Sequence, residues 1–236
     1  MAEIDATGRT TREINSAIRQ CIAESCPEIT VRNPGARHNL AVAILQEAHI
    51  RIAGSAGYYC GGLIDGAAIE IEGSAGWGVA ESMLQGTVRV HGSAGSGAAA
   101  AIRGGTVIIH GDAAARLGVS MKGGTVIVAG DCGYMAGFMA QKGTLIVCGD
   151  AGEAFADSMY ATVCYVGGKI ANLGTDAVIA AMDSADVEQL EKILGAHLPP
   201  ALRASKPRAS DFKKVVAGRK LWNFDKREWR IWQEAL

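Results

Sequence analysis

The 236-residue sequence predicts an all-β protein wound as a parallel β-helix of about seven turns. Three observations carry the prediction. Glycine recurs every nineteen residues, at Gly54, Gly73, Gly92, Gly111, Gly130, Gly149 and Gly168, so distant segments are stacked and columns are the units to read. Four and two residues before these glycines lie aliphatic columns: Ile50, Ile69, Val88, Val107, Val126, Leu145 and Cys164, then Ile52, Ile71, Val90, Ile109, Val128, Val147 and Val166. Alternation of this kind, rich in β-branched residues, marks a short strand with one buried face. Small residues then recur three and seven positions after each marker, as Gly57, Gly76, Gly95, Ala114, Gly133 and Gly152, and as Gly61, Ala80, Ala99, Gly118, Gly137 and Ala156. Such columns suit corners with positive φ or close backbone approach between neighbouring turns.

The elements follow in chain order. Thr10 with Glu13 three residues later reads as a capping box, and Ile14, Ala17, Ile18, Cys21 and Ile22 form one apolar helical face. That helix is expected to cap the first turn, because an open β-helix end exposes unpaired strand edges. A strand over 28–32, a turn at Asn33, Pro34 and Gly35, and a partial turn over 39–45 lead into the repeat. Within the repeat, Ile64, Met83, Ile102, Met121, Ala140 and Met159 form a further core column, and Thr87, Thr106, Thr125 and Thr144 a ladder that can hydrogen-bond along the stack. Ser55, Ser74, Ser93, Asp112, Asp131 and Asp150 follow the markers and read as corner-forming side chains bonded to the next backbone amides. After the repeat, Ser184 reads as the N-cap of a helix whose Val187, Leu190, Ile193 and Leu194 share a face, stopped by Pro199 and Pro200. The organisation is thus a cap over 1–48, a solenoid over 49–176, and a helix with a basic, aromatic tail over 177–236.

The pattern G-x-x-G-x-x-x-G stands intact at Gly54, Gly57, Gly61 and at Gly130, Gly133, Gly137, and recurs with alanine replacing one glycine between them. It resembles the right-handed β-helix domain at the C-terminal end of the glutamate synthase large subunit, shared with a subunit of formylmethanofuran dehydrogenase. The stretches GDAAARLGVSMKGGTVIVAGD, GDAGEAFADSMY and RKLWNF are closer to a narrower group, in which this domain is a separate polypeptide of a three-part enzyme such as N-methylglutamate synthase. The resemblance implies a noncatalytic subunit, with no cofactor or catalytic residue of its own. It implies two partners: an amidotransferase-like subunit and a glutamate synthase-like subunit carrying FMN and an iron–sulfur cluster. The assembly would then make N-methylglutamate from glutamate and methylamine. Alternatives are the matching subunit of a formyltransferase and hydrolase complex, or a stand-alone β-helical enzyme.

Composition bounds these readings. Net charge is −1, which gives no global attraction to nucleic acid, and no apolar run reaches membrane-spanning length. The first residues lack the apolar core of a signal peptide, so a cytoplasmic protein is expected. Cys21, Cys26, Cys60, Cys132, Cys148 and Cys164 include no C-x-x-C and are read as reduced, mostly buried thiols. Glu72, His91 and His110 stand one before successive markers and could bind zinc or shuttle protons; a solvated or partner-facing ladder is the favoured reading. Three before the markers, Arg51, Glu70 and Arg89 give way to Ile108, Ile127, Ile146 and Tyr165, an outward apolar stripe that requires a cover. Either the chain's own C-terminal segment or another subunit supplies it, the first being favoured. From Ala201 onward ten Lys or Arg face four Asp or Glu, interleaved with Trp222, Phe224, Trp229 and Trp232. These aromatics are expected to dock on the rod or contact a partner subunit.

Overall fold

A computed structural model describes residues 2–219. The chain is a parallel β-solenoid whose sheet is formed by β1 (Ala2–Asp5), β2 (Ile29–Arg32), β3 (His49–Ala53), β4 (Asp65–Ile71), β5 (Gln85–Val90), β6 (Thr106–Ile109), β7 (Lys122–Val128), β8 (Lys142–Val147) and β9 (Ala161–Val166). Each pairs in parallel with the next, and the aliphatic columns are the ladder itself: Ile50 pairs Ile69, which pairs Val88, and the register continues through Val107, Val126 and Leu145 to Cys164. Their side chains point inward and are buried. A second ladder of single bridges runs two residues after the markers, from Ala56 through Ala75, Ala94, Ala113, Cys132 and Ala151 to Ile170. At about 4.8 Å per coil, seven coils make a rod roughly 34 Å long.

The core column ten after the markers is buried as expected, and a further one lies six after them: Cys60, Val79, Ala98, Leu117, Ala136 and Phe155. The threonine ladder pairs by backbone, Thr87 to Thr106 to Thr125 to Thr144. Cys60, Cys132, Cys148 and Cys164 are buried free thiols, and burial pushes Cys132 up to about 12. They serve as small apolar residues.

The marker glycines answer to contact with the previous coil. A methyl group on Gly73, Gly92 or Gly111 would lie 2.3, 2.4 or 2.5 Å from the hydroxyl oxygen of Ser55, Ser74 or Ser93. On Gly130, Gly149 or Gly168 it would lie 2.1–2.2 Å from a carboxylate oxygen of Asp112, Asp131 or Asp150. These side chains bond across coils, which corrects the expectation of local corner bonds. Ser74 N–H donates to Ser55 Oγ at 3.1 Å, and Asp131 N–H to Asp112 Oδ1 at 2.9 Å. Apart from Gly54, the markers have no positive φ, which recurs instead in the columns five, seven and nine after them, at 57–73° in the seventh from Gly61 to Ala156.

Both ends carry elements outside the glycine register, and β1 and β10 (Ala177–Ala180) are the edge strands among the described residues. Helix α1 (Thr11–Ala23) carries the expected Thr10–Glu13 capping box and buries Ile14 and Ile18. Asn15 clamps it to the first coil: its Nδ2 donates to Asn39 O at 2.7 Å, and its Oδ1 accepts from Ala41 N–H at 2.9 Å. Those backbone groups have no coil above them, so the side chain supplies what a neighbouring coil would. The solenoid also begins earlier than the glycine register. Residues 36–44 bond as a coil onto 55–63, with Asn39 N–H donating to Tyr58 O at 2.7 Å and Gly61 N–H to Leu40 O at 3.0 Å. At the far end, β10 (Ala177–Ala180) and β11 (Lys213–Ala217) are antiparallel, with β11 lying between β9 and β10. Between them run α2 (Ser184–His197) and α3 (Pro200–Arg203). The N-cap of α2 is Asp183, whose side chain accepts from Asp186 N–H at 2.8 Å; Ser184 is the first helical residue, correcting the expected cap by one position. Among the described residues no helix is long and apolar enough to cross a membrane.

Candidate interaction faces

Three faces of the rod bear on function. The outward stripe Ile108, Ile127, Ile146 and Tyr165 is buried under the chain's own α2, α3 and the segment up to β11, packed against Leu190, Leu194, Leu198 and Phe212. Burying side chains of this size contributes about 1.5–3 kcal/mol each, so the cover is an integral part of the fold. The chain's own C-terminal segment thus supplies the cover, as favoured from the sequence, and the reading of these four residues as a contact for another subunit is corrected: they are used internally. A polar network pins the cover. Tyr165 donates its hydroxyl to Asp186 Oδ1 at 2.7 Å, and Lys214 Nζ lies 2.8 Å from Asp186 Oδ2. Burial disfavours the Asp186 carboxylate, but the Lys214 ammonium, the Asp183 hydrogen bond and the Tyr165 hydroxyl outweigh it and hold its pKa at about 2. The tail residues Trp222, Phe224, Trp229 and Trp232 lie outside the described residues.

Beside the cover, the polar column is divided among separate pairs. Glu72 bonds Arg51, and His91 Nε2 meets Glu70 Oε1 at 2.6 Å. His110 Nε2 accepts from Arg89 Nη1 at 3.0 Å, and the same Nη1 donates to His197 O at 2.7 Å, joining the rod to the end of α2. The His91 and His110 rings meet edge to face with centroids 4.8 Å apart. Burial, then the neighbouring His91 and Arg89, depress His110 to about 4, so it is a neutral acceptor near pH 7. Glu72, His91 and His110 do not converge on one point. Among the described residues no group of three or more His, Cys, Asp or Glu side chains is placed to hold a metal ion, which removes the basis for the zinc reading.

The third face was not anticipated. His38, Tyr58 and Trp77 stack on successive coils, with ring centroids 4.3 and 5.2 Å apart and planes within 17°. Their rings, with the backbone of the preceding coil, crowd three of the glycines three after the markers, whereas Gly133 and Gly152 meet backbone alone. A methyl on Gly57 would lie 2.3 Å from His38 Nδ1, and one on Gly76 or Gly95 would lie 2.6 Å from Cδ1 of Tyr58 or Trp77. Trp77 is nonetheless 56% exposed and Tyr58 40%, and Tyr59, next in the chain, is exposed as well. The signal was available in the column four after the markers, where Tyr58, Trp77 and Tyr134 stand with Ser96, Ala115 and Glu153. No protein-family model and no curated protein matches this chain.

Proposed function

We propose that this chain is a noncatalytic scaffold subunit of a glutamate synthase-like complex of the N-methylglutamate synthase kind. In this reading the rod holds an amidotransferase-like subunit and an FMN and iron–sulfur subunit at fixed separation, so that a nitrogen-bearing intermediate passes between their sites. The observation that carries a contact role is the aromatic ladder. A rod that covers its own isoleucine stripe still leaves Trp77 more than half exposed. Exposed Trp and Tyr on a rigid support are the residues that anchor protein interfaces. The Ser and Asp column supports a structural role as well, since one oxygen of each side chain accepts a backbone N–H of the next coil. The identities of the partners rest on the sequence resemblance.

The test is co-expression with the products of adjacent genes, followed by purification through this chain. A flavin-bearing synthase and an amidotransferase homologue should co-purify, and Trp77→Ala should weaken the assembly by about 2 kcal/mol, or roughly thirtyfold. Turnover of methylamine and glutamate by the isolated chain, or full activity of the other subunits without it, would defeat the proposal.

A further inference from the structure

The cover contains a cleft of about 450 Å³ that its packing on the rod leaves open. This is within the size range of ligand and side-chain pockets. Leu194, Leu198 and Ala209 form its floor, their other sides completing the isoleucine cluster. Arg203, Lys206 and Arg208 line it as well. The three cations are in different states. Asp211 holds Arg208 through two bonds of 3.0 and 3.2 Å, whereas Arg203 and Lys206 form no ion pair among the described residues. Glu191 lines the same cleft without pairing to either.

Gly195 opens the mouth. It lies inside α2, where glycine costs about 0.5–1 kcal/mol relative to alanine, and a methyl there would sit 3.1 Å from Arg203 Nη1. Its φ is not positive, so the backbone does not require glycine; the missing side chain leaves room for the guanidinium.

We propose that this cleft is the docking site for an acidic segment of a partner protein. One large apolar side chain of that segment enters over Leu194 and Leu198, and its flanking carboxylates meet Arg203 and Lys206. Charge complementarity selects this occupant. Closing a lid over two unpaired cations costs desolvation that only an anionic partner offsets, and a basic segment would add like charge. The apolar floor selects for an aliphatic or aromatic anchor beyond charge alone. The proposal rests on the scaffold reading for the existence of a partner, and its own test does not require one.

The probe is a short fluorescent peptide of alternating Glu and Leu around one central Phe, compared by anisotropy with its Lys-for-Glu counterpart on the full chain. The acidic peptide should bind at least about tenfold more tightly, and more weakly as salt rises. The double variant Arg203→Glu, Lys206→Glu should lose at least about tenfold in affinity. Gly195→Phe, which fills the space beside the Arg203 guanidinium without changing net charge, should do the same, and both variants should keep the wild-type far-ultraviolet circular dichroism and a cooperative thermal transition. Equal binding of the two peptides, no binding of the acidic one up to about 1 mM, or indifference to both variants overturns the assignment. In the co-expressed complex the two proposals separate. Assembly unaffected by the double reversal overturns the cleft and leaves the scaffold standing, whereas no wild-type assembly overturns the scaffold alone, with the peptide result still deciding the cleft.

Discussion

Replacing Gly130 by alanine tests why the nineteen-residue period exists. The added methyl would lie 2.1 Å from Asp112 Oδ1 and 2.8 and 3.0 Å from O and C of Gly111. Gly130 has no positive φ, so the backbone itself admits alanine and the cost is steric. Relief requires Asp112 to swing away, forfeiting its 2.9 Å bond from Asp131 N–H, worth about 1.5–3 kcal/mol for a charged acceptor. The Gly111 carbonyl must move too, and overpacking of that kind costs about 1–3 kcal/mol. Together these give a loss of about 2.5–6 kcal/mol. Gly97→Ala is the control: its φ is 70° but nothing lies within 4 Å of the new methyl, so it should cost only about 1 kcal/mol. Urea unfolding followed by far-ultraviolet circular dichroism, at constant m-value, reads the difference. Adding Asp112→Ala to Gly130→Ala should cost about 1.5–3 kcal/mol less than adding it to wild type, because that bond is already lost. If the two glycine variants fall within about 0.5 kcal/mol of each other, close approach between coils is not the reason for the period.

Other expectations are as direct. Asn15→Ala removes both bonds that clamp α1 to the first coil and leaves an N–H and a carbonyl without partners; it should cost about 2–3 kcal/mol by urea unfolding, with Asn15→Asp restoring the acceptor half. Because His110 is held at about 4 in the folded chain, below its unfolded value, its contribution is present above pH 6.5 and is lost as pH falls from there toward 4. Discounted for partial exposure, that loss is about 1–2 kcal/mol, and His110→Gln should flatten this part of the stability profile. Leu63 is 55% exposed with φ of 58°, so Leu63→Gly should raise stability by about 0.5 kcal/mol, relieved left-handed strain exceeding the added chain entropy. Tyr165→Phe deletes the hydroxyl that meets Asp186 and should lower the thermal midpoint, at a cost of about 1–2 kcal/mol.

Much of the architecture was legible because a solenoid translates sequence periodicity directly into spatial register. Columns assembled by counting nineteen residues are the pairs in the sheet, and the Thr10–Glu13 box starts the helix it announces. Local chemistry sufficed there. It failed where conformation leaves no compositional trace: Leu63, Arg116 and Met139 all sit at positive φ, yet none is a residue type associated with it. Strand β1 was missed because four residues pairing with β2 across an intervening helix show no period of their own. For α2, the choice between Asp183 and Ser184 turned on which side chain faces the Asp186 amide, a matter of one residue of phase.

The sequence alone determined the solenoid, its register and its inward faces, because each follows from a repeated choice of residue at a fixed interval. Tertiary structure decided what the outward faces do. The isoleucine stripe and the aromatic ladder are both apolar and both point out of the rod, so composition could not separate them. Only the path of the chain after the last coil could: it returns over Ile108, Ile127 and Ile146, removing them from water, and leaves Trp77 in it. Where one segment lies against another nineteen or a hundred residues away is set by the summed packing of the whole chain, and that sum has no local signature.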